Sequence, residues 1–525
     1  MTSGGGHDGA REWIWDLVVD RAAASPDLLC VLDESGRTLT FGALAVRAER
    51  TAAALGALGV GPGVPVAWQL PTWIEAVILT AALTRLGAVQ VPLLPILRAR
   101  ELSVVLDQVR PALVACPGTW RGFDYVALWE SLAAEILPNA APVVLACERA
   151  LPESDDLDAL PALDAARPGA REHRWVYFTS GTTGVPKGAR HTDASVTAGP
   201  RTLAERIGLS EADRYPIIFP FTHVGGVGTF CAQLMTGTAA LIDDVFDPER
   251  TIPYLAAQGV TVGAGGTPII QLYLEHQRRD PSVPLFPELR LCLAGAAPKP
   301  VTMHATARDE LGGMGCMSVY GLTEAPFTTV SSFDDSDDVL ATTEGAAIDG
   351  AELRVIGLDG RPCGPGEEGE LGIRGPNVLL GYLDPSLDAD AFDVDGYFRT
   401  GDLARLDEQG NVIITGRIKE IIIRRGENIA APEVEHVLLE HPAIAEVAVI
   451  GLPDERTGER CCAVVVLTPG ATVTLAELGE FAVAAGLTRQ KVPEQLEVVD
   501  VLPRNAASKV MKHELRAALL ARDAE

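Results

Sequence analysis

Between Val64 and Leu94 the chain reads VPVAWQL (64–70), TWIEAVILTAALTRLG (72–87) and AVQVPLL (88–94) in close succession. The first and last stretches have the length and apolar content of buried strands, and the middle one has helical length. Three more short apolar runs follow, PALVAC (111–116), PVVLAC (142–147) and WVYFTS (175–180). Each suits a sheet covered on both faces. With helical spacing over Leu39–Leu55, the alternation predicts an α/β core built on a largely parallel sheet.

At 525 residues the chain exceeds what one hydrophobic core supports. Beyond Gly350 its character turns to short strands with glycine-rich turns (ELRVI, GELGIRG, NVIITGRI), and a smaller α/β unit follows Gly416. The expected fold is α/β. A large N-terminal domain (1–416) carries doubly wound, parallel-type sheets plus a β-rich subdomain. A small mobile α+β domain (417–525) follows a hinge at 417–420. The Pro/Asp/Ala-rich stretch Glu148–Glu172 reads as a surface connection. A net charge of −28 argues against nucleic acid and anionic membrane surfaces as partners. The nine cysteines have no CxxC spacing, and the adjacent pair Cys461–Cys462 reads as buried strand. The N-terminus has neither a basic start nor an apolar core, and the longest apolar stretch is broken by Arg85, Gln90, Pro92 and Pro95. A cytoplasmic protein without a membrane span is the expectation.

The last apolar run leads into YFTSGTTGVPKGARHTD, Tyr177 to Asp193. So many small donors beside a lysine suit a phosphate chain, yet the spacing is not that of the common phosphate loop. Gly181 and Gly184 are too close together, Pro186 precedes Lys187, and Gly188 follows it.

Seven segments stand in order behind this one. They are PFTHVGG (220–226), LAGAAPKP (293–300), YGLTEAP (320–326), GELGIRGPNVLLGY (369–382), YFRTGDLA (397–404), GRIKEIIIRRGENIAAPEVE (416–435) and PRNAASKVMKHELR (503–516). In this order they resemble the adenylate-forming superfamily of acyl-CoA synthetases, peptide-synthetase adenylation domains and beetle luciferases, over roughly Leu39 to Arg516. The block from Val66 to Leu106, with GFDY, is most similar to the acyl-CoA ligase branch, including medium-chain and cyclohexanecarboxylate ligases. The resemblance implies ATP, Mg2+ and coenzyme A (CoA) as cofactor and co-substrates, with a small carboxylic acid as the substrate.

It also implies roles for residues. Thr179, Ser180, Thr182, Thr183 and Lys187 would donate to the β- and γ-phosphates, with Gly181 and Gly184 letting the backbone approach. Tyr320 would stack on adenine, Gly321 and Leu322 belong to the same turn, Thr323 would contact the α-phosphate, and Glu324 would hold Mg2+. Gly295, Ala296, Ala297 and Pro298 would meet the adenine edge. Asp402 would accept the ribose hydroxyls, with Arg417 beside them. Lys509 would bridge carboxylate and α-phosphate during adenylation, although Ser508 stands where relatives usually have glycine. Lys419 would be the hinge residue.

Amino-acid-activating relatives place an Asp in the segment corresponding to PFTHVGG, whereas this chain has none there, so a buried substrate ammonium is disfavoured. His223 resembles the residue next to the substrate carboxylate, with a packed core histidine as the alternative. Gly225, Gly226 and Gly228 are expected to leave the pocket floor open. The loop Arg424-Arg425-Gly426-Glu427 would line the pantetheine tunnel, with Arg424 or Arg425 on a CoA phosphate. Two alternatives to an acid:CoA ligase stay open: an acyl-AMP ligase that loads an acyl carrier protein, and an inactive nucleotide-binding scaffold.

Overall fold

The computed structural model of the protein describes residues 13–167, 169, 171–180, 186–297, 299–424, 427–454, 458–485, 487, 489–504 and 509–523. Strand Pro65–Trp68, helix Ile74–Leu86 and strand Val89–Pro92 form where the apolar pattern places them, and the two strands pair in parallel. Every residue of that helix is buried, which explains why its sequence is apolar nearly all round. Gly87 ends it in the left-handed region at φ 67°. A side chain there would come within 2.4 Å of the Ala166 carbonyl oxygen. Ala166 belongs to a short helix, Leu163–Ala166, and is buried, as is Leu151. The stretch expected as a plain surface connection therefore also packs inward.

The chain divides into two compact units, residues Met1–Glu352 with Ile373–Phe398, and Leu353–Gly372 with Arg399–Glu525. This division differs from one cut near Gly416, because strands 369–374, 398–406 and 412–417 share one sheet. In the first unit, a sheet of 7 strands runs in the order Gly381–Tyr382, Pro186–His191, Trp175–Ser180, Val89–Pro92, Pro65–Trp68, Leu113–Cys116, Val143–Ala146. Its four strands from Val89–Pro92 to Val143–Ala146 are mutually parallel. Three further sheets complete the unit among the described residues, one of 4 strands around Ala239–Ile242, one of 5 around Leu291–Ala294 and Cys316–Leu322, and one of 2, Thr119–Trp120 with Phe123–Asp124.

The second unit holds most of the sheet of Glu352–Ile356, Gly369–Arg374, Phe398–Leu406 and Val412–Arg417, and another centred on Ile444–Asp454 and Gly458–Leu467. Cys461 and Cys462 are both fully buried in the last of these. Among the described residues, no helix is long and apolar enough to cross a membrane.

One buried carboxylate ties the N-terminal helix Ile14–Ala24 to the core. Asp193 accepts hydrogen bonds from the Ile14 backbone N–H at 3.1 Å and the Trp175 indole N–H at 2.8 Å. Burial pushes its carboxyl up to about 6, and those two donors hold it partly back. The folded protein thus keeps a proton that the unfolded chain releases between about pH 4 and pH 6. This group's stabilisation is full below the unfolded value and is lost as pH rises through about 6. Asp193→Asn removes that term. Relative to the parent, the variant should lose about 2–3 kcal/mol as pH falls from 7 to 4. Urea unfolding across that range checks this, and parallel pH curves for the two proteins would contradict it.

Candidate active site

The stretch rich in small donors joins two paired strands. Trp175–Ser180 and Pro186–His191 run antiparallel, with Pro186 opposite Ser180 and Lys187 opposite Thr179. Residues directly opposite in such a ladder present side chains to the same face, so Thr179 and Lys187 stand together, both partly exposed. Thr182 and Thr183, expected as phosphate donors, and Gly181 and Gly184, expected to let the backbone approach, lie outside the described residues, as does the Ser180 side chain. The common phosphate loop runs into a helix, whereas here the lysine lies on a strand.

That strand is stapled to the turn bearing Glu324. Its far edge pairs with Gly381–Tyr382, Ala189 opposite Tyr382. Leu380 and Leu383 donate backbone N–H groups to the carbonyls of Arg190 and Gly188 at 2.8 and 2.7 Å. The same segment grips the turn: Leu379 N–H donates to the Glu324 carbonyl at 2.8 Å. Buried Asn377 donates through Nδ2 to the Pro326 carbonyl at 3.0 Å. The Tyr382 hydroxyl donates to Glu324 Oε1 at 2.9 Å, and Lys187 Nζ sits over the Tyr382 ring, 5.6 Å from its centre. Burial, then the neighbouring Glu324 charge, pushes the Tyr382 phenol far up, so it stays a donor.

His191, at the end of the lysine's strand, holds the turn by its backbone. Its Nε2 lies 2.9 Å from the Thr323 carbonyl and its Nδ1 3.0 Å from Ser195 Oγ. A carbonyl only accepts, so the proton sits on Nε2. Burial lowers this imidazole to about 4, with the Thr323 bond opposing, so the ring is neutral at physiological pH. Nothing in the sequence pattern singles out Tyr382, Asn377 or His191. Tyr382 and Asn377 lie within GELGIRGPNVLLGY, but their partners are set by strand pairing, which the segment does not display.

The nucleoside-side segments converge in the same unit. Gly321 sits at a register irregularity between Tyr320 and Leu322. A side chain on it would meet the Phe327 backbone nitrogen at 2.5 Å, so the turn requires glycine. Gly295 approaches the Val319 carbonyl as closely, 2.8 Å for a hypothetical side-chain carbon, and Ala296 adopts the left-handed φ of 61°. Thr267 donates through its backbone to the Gly295 carbonyl at 3.3 Å and through its hydroxyl to that of Ala297 at 3.2 Å. Pro298 lies outside the described residues.

Of the three glycines in PFTHVGGVG, two are closed by protein. A side chain at Gly228 would strike the Phe327 ring at 2.4 Å, and one at Gly226 the Phe221 backbone at 2.6 Å. Helix Val224–Thr236 is buried along most of its length. Gly226 and Gly228 therefore admit neighbouring protein atoms, whereas a side chain at Gly225 would meet only the His223 ring, at 3.3 Å, and Phe219, at 3.9 Å. His223 is exposed, not a packed core residue, and caps this helix, its Nδ1 accepting from Gly225 N–H at 3.1 Å.

Asp402 and Arg417, expected separately on the ribose, are cross-strand partners in the second unit, with Nε 2.8 Å from Oδ1. Asp402 is buried and Arg417 exposed. Lys419 falls in the short turn Ile418–Glu420, and its side chain lies outside the description. Arg424 pairs with Glu427 on a hairpin, while Arg425 and Gly426 lie outside the described residues. The Arg424 fork is engaged by Glu494, at 2.8 and 2.6 Å. Arg424, one of the two arginines expected at a CoA phosphate, thus has a carboxylate partner far along the chain.

Lys509 is exposed and precedes helix Lys512–Asp523, and its neighbour Val510 forms an antiparallel bridge with Arg504. Lys512 Nζ lies 2.7 Å from Glu420 and 2.9 Å from Glu435, and Glu435 also accepts from Val449 N–H at 2.6 Å. Burial works against the Lys512 ammonium, but the two carboxylates outweigh it and raise its pKa. This triad ties the turn containing Lys419 to the segment carrying Lys509.

The family model described as AMP-binding enzyme matches residues 18–383, and that for the AMP-binding enzyme C-terminal domain matches residues 433–509. The chain belongs to the AMP-binding enzyme family. Among curated AMP-binding relatives, the medium-chain fatty-acid–CoA ligase of Escherichia coli is 34% identical, covering 95% of this chain and 89% of that one. The salicyl-AMP ligase / salicyl-S-ArCP synthetase of Mycobacterium tuberculosis is 33% identical, covering 94% and 89%. ATP-bound MatB from Rhodopseudomonas palustris superposes with a TM-score of 0.85 at 28% identity, over 96% of this chain and 98% of that one. Adenylate-forming ligases of both the CoA and the carrier-protein kind thus stand among this family member's relatives.

Replacing Lys512 by Met leaves two carboxylates facing each other without their cation. The side chains are partly exposed, so the loss should fall between that of a surface pair and a buried one, about 1–3 kcal/mol. Urea unfolding of Lys512→Met tests this, and unchanged stability would show that the triad is only a surface contact.

Proposed function

We propose that the protein is an ATP-dependent acid:CoA ligase. A substrate carboxylate oxygen attacks the α-phosphorus of ATP and pyrophosphate leaves. The CoA thiolate then attacks the acyl-adenylate carbonyl, and AMP leaves. The observation carrying this reading is the gathering of Lys187, Thr179, Glu324 and the Thr323 backbone around one strand, with the cation and the oxygen ligand each in contact with Tyr382. Lys187 and Thr179 donate to the terminal phosphates. Glu324 suits magnesium, a hard ion that needs only one or two carboxylates when phosphates complete its shell. Magnesium bound there supplies charge neutralisation for the departing pyrophosphate.

In this reading Asp402, oriented by Arg417, accepts the ribose hydroxyls. Lys509 stabilises the charge developing between carboxylate and α-phosphate, and Lys419 is the hinge separating 1–416 from 417–525. The substrate is an aliphatic or alicyclic monocarboxylate. Two relatives support that class. One is the Escherichia coli medium-chain ligase. The other, from Rhodococcus jostii, is 34% identical and named for a propanoyl chain on a methyl-dioxo-octahydroindene ring. The segment Pro220–Gly226 also contains no acidic residue to pair an amino group.

One observation favours transfer to a carrier protein instead. Arg424, one of the two cations expected at a CoA phosphate, is committed to Glu494. The relative named salicyl-S-ArCP synthetase supports the same alternative.

Lys509→Ala should reduce acid-dependent pyrophosphate exchange by about 10²–10³ or more, while chemically supplied acyl-AMP is still converted to acyl-CoA. Equal loss of both half-reactions would contradict the role given to Lys509. In the parent enzyme, AMP formation stimulated by CoA across a panel of aliphatic acids supports the ligase reading. Stimulation only by an acyl carrier protein would replace it.

A further inference from the structure

Lys187 and Glu324 carry opposite charges into a partly buried site, and each meets Tyr382. The ammonium lies over the face of its ring, and the carboxylate accepts from its hydroxyl. The tyrosine itself is fixed. It is 5% exposed, packs with Ala189, Leu379 and Phe398, and donates its backbone N–H to Asp388 Oδ1 at 2.8 Å. Its strand is paired to the strand that carries Lys187. A direct Lys–Glu pair would be favoured where water is partly excluded. Such a pair would neutralise the cation meant for phosphate and occupy the carboxylate meant for a metal.

We infer that Tyr382 is a positioning residue that keeps Lys187 and Glu324 from pairing with each other and orients the Glu324 carboxylate toward a divalent cation. The hydroxyl holds Oε1, which turns Oε2 away from the phenol as the metal-facing oxygen. The ring gives the ammonium a π-face that attracts it without neutralising it. The site is thereby prepared for both halves of a metal–polyphosphate ligand before the ligand arrives. This inference rests on the proposed roles of Lys187 and Glu324.

Calorimetric titration of the full-length protein with ATP, with and without Mg2+, tests it in Tyr382→Phe, Tyr382→Leu, Lys187→Ala and Glu324→Gln. Tyr382→Phe keeps the ring and loses the hydrogen bond. It should bind metal-free ATP like the parent and MgATP about tenfold more weakly, the effect of one charge-assisted hydrogen bond. The Mg2+ concentration giving half-maximal pyrophosphate exchange should rise in step, with the maximal rate little changed.

Tyr382→Leu frees Lys187 to pair with Glu324 and should weaken metal-free ATP as well. Adding Glu324→Gln to Tyr382→Leu should restore metal-free binding. Parent-like titrations for both tyrosine variants, or a Tyr382→Leu defect that Glu324→Gln leaves intact, would overturn the inference. If Lys187→Ala and Glu324→Gln alone leave ATP and MgATP binding unchanged, the proposed function fails, and the role of Tyr382 falls with it.

Discussion

The pairing of strand Pro186–His191 along both of its edges is the constraint on which the rest of the first unit's site depends. One edge fixes Lys187 opposite Thr179, and the other recruits Gly381–Tyr382 and the chain on either side. From there Leu379, Asn377 and Tyr382 take hold of the turn carrying Glu324. His191 closes the circuit by reaching the Thr323 carbonyl from the end of the same strand. Groups far apart in the chain are thus held by backbone ladders and short hydrogen bonds. A charged site placed this way needs little reorganisation when its ligand binds, which is how electrostatic preorganisation acts.

Two residues, His191 at the end of this strand and Asp193 at the start of the next helix, are both buried and titratable, with opposite tendencies. His191 is kept neutral and serves as a donor in one fixed tautomer, whereas Asp193 is pushed toward protonation. The first anchors the turn with Glu324, and the second anchors the N-terminal helix. In the second unit, Lys512 plays a comparable part between Glu420 and Glu435. In each case a buried or half-buried polar group is tolerated because it has partners, and those partners fix a neighbouring segment.

What the sequence made legible follows from local pattern. Helix Ile74–Leu86 and its flanking strands are buried almost throughout, so their apolar runs could be read without knowing the fold. Lys187 and Glu324 were visible because the segments around them carry a family pattern. Phe327 was not, because the ring occupying the space at Gly228 comes from another strand, and glycine alone does not say whether ligand or protein fills the gap. Tyr382 and Arg424 depend likewise on partners remote in sequence, Glu324 and Glu494. The contiguous cut near Gly416 followed a change of composition, whereas the compact units follow shared sheets that interleave the chain.

The central claim is that Lys187 and Glu324 belong to one metal–polyphosphate site organised by the strand between His191 and Pro186. A crystal structure of the protein with MgATP measures this directly. The account predicts terminal phosphate oxygens within hydrogen-bond reach of Lys187 Nζ, and magnesium bonded to Glu324 while Tyr382 still holds the other carboxylate oxygen. A triphosphate seated away from Lys187, or a magnesium ion held by a different carboxylate, would contradict it.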